Sequence, residues 1–142
     1  MPIDRAALAV GSIRLASGIQ FLVDPLRANR LWGDPNEPSP TARLLLRSMG
    51  YRDALIGALL LTSGLRGRNT RGWFLASAGA DASDLLGGIS VHHELMRSQQ
   101  LIGLGGAVVG VGVGLWGAVR RTTRAGEAAG TGLAGSSFHE HQ

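Results

Sequence analysis

The chain has 142 residues, a formal net charge of +4, 44% hydrophobic residues and no cysteine. That length supports one small domain, and the missing cysteine excludes disulfides, thiolate metal sites and thiol nucleophiles. The basic balance does not point to nucleic acid, because the arginines are spread through connectors without a basic helix face or interleaved aromatics.

All 14 basic residues are Arg, and Gly occurs 22 times, which suggests a high-GC bacterial genome. Apolar runs alternate sharply with Arg- or Pro-rich connectors, so the segregation says more than the mean.

Residues 6–23 form an 18-residue apolar stretch whose only charge is Arg14. No small-residue cleavage site follows it, so it reads as a retained helix and not a removed signal peptide. The next stretch, "DPLRANRLWGDPNEPSP", carries Asp24-Pro25, Asp34-Pro35 and two further prolines. Each proline removes a donor and restricts the residue before it, so a turn-rich connector is expected.

The second helix is expected over residues 41–65. It has Arg43 and Arg47 near its start, Arg52-Asp53 inside it, and an uncharged part of only 12 residues from Ala54. Twelve residues cannot cross roughly 30 Å of hydrocarbon, which takes about 20. The early arginines must therefore snorkel or face protein. "RGRNTR" is a tight basic loop, with Gly64 and Gly67 as helix stops.

A third helix is expected over 72–91, entered by the interfacial Trp73 and followed by the polar connector "HHELMRSQQ". The fourth, 101–119, is 19 uncharged residues closed by Trp116 and "RRTTR", an aromatic anchor and a cationic stop. The fold expected is all-α: a four-helix transmembrane bundle over residues 1–124 with short loops, and a flexible Gly-rich tail over 125–142. A soluble bundle would need amphipathic stripes, and the fourth segment has no polar face.

The N-terminus, "RGRNTR" and "RRTTR" fall on one side of four crossings. The positive-inside tendency makes that side cytoplasmic, so the chain reads as multi-pass in a bacterial inner membrane with both termini inside.

In lipid, close approach of small residues drives helix association. Gly106, Gly110 and Gly114, at four-residue steps, are the packing ridge expected on the fourth helix. The neighbouring "GVGLWG" matches a dinucleotide-binding pattern but has no strand before it, so no nucleotide is implied.

The charges inside the apolar runs share faces with small residues: Arg14 with Gly11 and Gly18, Asp53 with Gly50 and Gly57, Asp84 with Asp81 and Gly88. At about 1.5 Å per residue, Arg14, Arg52, Asp53, Asp81 and Asp84 fall within roughly two helical turns of one another along the bundle. They would form a cluster with one excess negative charge, either a structural clasp or a site that handles a proton or ligand. His92 and His93 are candidate interfacial ligands for haem or a quinone, though such residues in a polar connector are usually just interfacial. "HEH", residues 139–141, is too short to define a metal site.

These motifs together resemble the DoxX-like small four-helix bacterial membrane proteins: Arg14 in a small-residue first helix, a Pro-rich connector with Leu-Trp-Gly, "GYRDALIGALLL", and "GADASD". The resemblance implies a compact membrane bundle and, in some relatives, a part in a membrane redox complex. The cysteines of some redox relatives are missing here.

The chain carries no catalytic constellation and implies no cofactor and no metal. The leading expectation is a non-enzymatic accessory or structural subunit, held in the lipid bilayer with other membrane subunits or as a homo-oligomer. The alternatives are an oligomeric transporter or proton-linked carrier built on the Arg/Asp cluster, and a quinone- or haem-associated redox component.

Overall fold

The computed structural model describes residues 3–134, with side chains described to Arg120. Among these residues the regular structure is all helical. The order is α1 (Arg5–Val23), α2 (Pro25–Leu31), α3 (Pro40–Leu65), α4 (Arg71–Ser90), a 3-10 turn (His92–Glu94), α5 (Arg97–Gln99), a π-helical turn (Gln100–Leu104) and α6 (Gly105–Ala134).

Local chemistry sets several of these boundaries. Asp4, Asp24 and Ser39 cap α1, α2 and α3 by accepting from Ala7 N at 3.3 Å, Arg27 N at 2.9 Å and Ala42 N at 3.2 Å. Pro25 and Pro40 occupy first-turn positions where a missing N–H costs nothing. Helix α3 ends in a Schellman arrangement: Arg68 N donates to Ser63 O and Gly67 N to Gly64 O, with Gly67 at a φ of 60°.

The elements depart from the sequence reading in three places. The connector after α1 contains the helix α2, because Asp24-Pro25 is a cap followed by a proline at the first helical position. The fourth helix starts at Arg97, passes through the π-helical turn, and continues to Ala134 in place of ending at 119. Residues 125–134 of the expected tail are thus helical, and 135–142, with "HEH", lie outside the described residues.

The long helices form two antiparallel pairs. In the first, α1 lies against α3 with backbone on backbone. A Cβ on Gly57 would stand 2.7 Å from Gly11 O, and one on Gly50 2.7 Å from Gly18 O. In the second, α4 lies against α6, where Gly114 meets Ala78 and Gly117 meets the Phe74 ring. The apolar core, Ala7, Ile56, Leu60, Phe74 and Ala118, joins the two pairs near the Thr70 end. Beyond it, α3 and α4 touch little.

Candidate functional site

Where apolar contact between the helix pairs runs out, charged side chains bridge them. Arg14 of α1 donates from Nη1 to Asp53 Oδ1 of α3 at 2.7 Å and from Nη2 to Asp81 Oδ2 of α4. Arg52 of α3 holds Asp84 of α4 in a two-bond fork, Nη1 to Oδ1 at 2.9 Å and Nη2 to Oδ2 at 2.6 Å. The Arg52 Nε is buried without a hydrogen bond and stands 3.5 Å from Asp53 Oδ1. All five residues are therefore joined into one network spanning α1, α3 and α4.

The network is sheltered, with the Arg14 and Asp81 side chains only 11% and 12% exposed. Each arginine gives two hydrogen bonds to the carboxylates, and the carboxylates are unevenly used. Asp53 Oδ2 and Asp81 Oδ1 accept no hydrogen bond from the described residues. With two guanidinium groups facing three carboxylates, the formal balance is one negative charge.

Two cavities meet at this network. One, of about 330 Å³, lies between α1 and α6, with Val10, Ile13, Val109 and Val113 as walls and Arg14, Asp53 and Asp81 as the polar floor. The other, of about 210 Å³, lies toward the connector between Phe21, Trp32, Met49 and Ile102 and also reaches Asp84. Asp53, Asp81 and Gly106 line both.

The three ridge glycines of α6 thus have different surroundings. Gly114 packs against α4, and at Gly110 a Cβ would overlap the Asp81 carboxylate, so that glycine makes room for the acid. Gly106 meets nothing within 4 Å and is not a packing position; it lines the junction of the cavities. Beside Gly106 no neighbouring helix comes close, and α1 and α6 scarcely touch.

The connector covers the second cavity. Buried Asn29 donates from Nδ2 to Asn36 O at 3.1 Å and to Asp34 O at 3.4 Å, tying the loop into a compact turn. Trp32 lies over Gly103 of the π-helical turn, and Ser98 Oγ donates to Gly33 O at 2.8 Å, with Gly33 at a φ of 90°.

His92 and His93 lie outside this site, exposed in the 3-10 turn, with ring centroids 3.6 Å apart and His92 Nδ1 2.8 Å from Ile89 O. Among the described residues no group of three or more His, Cys, Asp or Glu side chains is placed to hold a metal ion.

A second charged group escaped the sequence reading. Asp4, besides capping α1, accepts from Thr70 Oγ1 at 2.8 Å and pairs with Arg120, whose guanidinium lies 4.7 Å from the Trp116 ring centroid. The signal for Asp4 was an acid directly before an apolar helix; nothing local pointed to Thr70 or to Arg120 as its partners.

Fold and site together define a small all-helical protein with ionic bridges inside and apolar side chains outside. Two of its helical stretches, Arg5–Val23 and Arg97–Arg120, are long and apolar enough to cross a membrane, and only 22% of either apolar stretch is buried. The chain belongs to the family described as a domain of unknown function (DUF4267), which matches residues 11–117. No curated protein and no solved structure matches it.

Proposed function

We propose that the chain is a four-helix, multi-pass protein of a bacterial plasma membrane, of the DoxX-like kind, with both termini cytoplasmic. We further propose that it works as a small carrier, as an oligomer or beside other membrane subunits, and takes a proton or a cation at the Arg14/Arg52/Asp53/Asp81/Asp84 network. The observation that carries this reading is the inversion of polarity. Ile13, Leu44, Leu86, Leu101 and Val109 stand exposed while the charges are gathered between helices and opened to two cavities. In water such a surface would be a liability; in lipid it is the solvent-matched face.

The direct pairing of Arg14 and Arg52 with carboxylates on neighbouring helices supports a second reading, an accessory subunit whose network only clasps the helices. The quinone- or haem-associated reading gains no comparable support, since His92 and His93 line neither cavity.

Purified full-length protein in lipid vesicles with an internal pH dye separates the two. The carrier reading expects faster collapse of an imposed proton or ammonium gradient than in empty vesicles, with Asp81→Asn abolishing the difference. Vesicles indistinguishable from empty ones, together with stoichiometric partner chains that co-purify in mild detergent, would favour the accessory role.

A further inference from the structure

The cavity between α1 and α6 has a form that narrows the choice of ligand. Its walls are largely aliphatic, with Ser17 and Ser77 among them, and its floor includes Asp53 and Asp81, each with one carboxylate oxygen that accepts from none of the described residues. Arg14 faces the same floor, where it pairs with the opposite oxygens of those carboxylates, and the network as a whole keeps a formal balance of one negative charge. A ligand therefore meets acceptors and a net negative field, which suits a cationic donor and disfavours an anion.

The mouth is equally informative. Ile13 on α1 is 70% exposed and Val109 on α6 is 65% exposed, and these helices scarcely touch, so the cavity is a lateral crevice facing whatever surrounds the bundle. If the surroundings are hydrocarbon, the entrance admits apolar chains directly from the bilayer and is closed to strongly hydrated ions. A volume of about 330 Å³ lies at the small end of ligand pockets, which run from roughly 300 to 1,000 Å³.

We infer that this crevice binds an amphiphilic ammonium compound, its charged nitrogen donating to Asp53 and Asp81 and its short apolar chain lying along Val10, Ile13, Val109 and Val113. The inference rests on the carrier reading and names the class of its cation. Gly110 acts as a positioning residue, because a side chain there would displace the Asp81 carboxylate from the floor. The same ammonium chemistry is offered by a free alkylamine and by the headgroup of an ethanolamine lipid.

The test is calorimetric titration of the full chain in phosphatidylcholine/phosphatidylglycerol nanodiscs, corrected for empty discs, with methylamine, n-butylamine and n-hexylamine. Hexanol and hexanoate serve as neutral and anionic controls. Hexylamine is expected to saturate one site and to bind at least about thirtyfold more tightly than methylamine, from the added buried methylenes. Val109→Phe, at an exposed position on the crevice wall, should weaken hexylamine at least about tenfold and methylamine by much less.

Repeating the titration with phosphatidylethanolamine in the discs identifies the source. Competition points to the lipid headgroup and an unchanged isotherm to a free amine, and either result supports the ammonium site. Methylamine binding without a chain-length effect overturns this inference and leaves the carrier reading standing. Equal binding of hexanol also overturns it, and absence of binding by every amine overturns both.

Discussion

Arg14 is the residue on which the centre of the bundle depends. It alone links α1 to both Asp53 and Asp81, and its guanidinium is nearly enclosed. Replacing it leaves two carboxylates facing each other with one remaining cation nearby, and removal of one partner from a buried pair typically costs about 3–5 kcal/mol. Arg14→Met should therefore lower the unfolding midpoint in detergent markedly, and Arg14→Met with Asp81→Asn should recover part of the loss. An Arg14→Met protein as stable as the parent would show that the network contributes nothing to the fold. The choice of Arg over Lys also has a reason here, since one planar fork reaches carboxylates on two different helices.

At the scale of elements, α1 and α3 make the most extensive helix contact among the described residues. Gly11, Gly18, Gly50 and Gly57 let carbonyl oxygens of one helix approach the backbone of the other, and a Cβ on Gly18 would collide with Ala54 N. Gly57→Leu should separate the pair and unfold the protein at a markedly lower temperature. Gly79→Ala, at a helical position where a Cβ meets nothing within 4 Å, should be neutral or stabilising by about 0.5–1 kcal/mol. Equal effects of the two changes would refute the contact. The glycine spacing was readable in both helices beside their charges, but the sequence reading placed its packing ridge on the fourth helix. Of that ridge, Gly110 and Gly114 lie close against α4 and Gly106 is open, and only a partner's position separates a contact glycine from an open one.

For the whole molecule the decisive test is of the proposed multi-pass topology. The native chain has no cysteine, so single cysteines report sidedness without background. Asn69→Cys, in the arginine-rich loop before α4, should be shielded from an impermeant maleimide added outside intact bacteria. Asn36→Cys, in the connector after α2, should be labelled. The reverse pattern would invert the topology, and labelling of both would refute the crossing of α3.

The existence and order of the long helices were legible because apolar runs, prolines and capping residues act over a few residues. Helix α2 was legible in principle from Asp24-Pro25, yet the prolines around it read as turns. The continuation of α6 past residue 119 lay beyond local signals, since a polar Gly-rich stretch is a poor helix former by itself.

By itself the sequence determined where charge interrupts apolar helix, and that each such charge shares a face with small residues, because helical periodicity is a local property. Only the tertiary structure decided that Arg14 joins Asp53 to Asp81 across separations of 39 and 67 residues, and that Arg52 takes Asp84. It also decided that Asp53 and Asp81 line two open crevices. Those outcomes depend on which helix faces meet and how closely, and helix crossing is set by the packing of backbones remote in the chain.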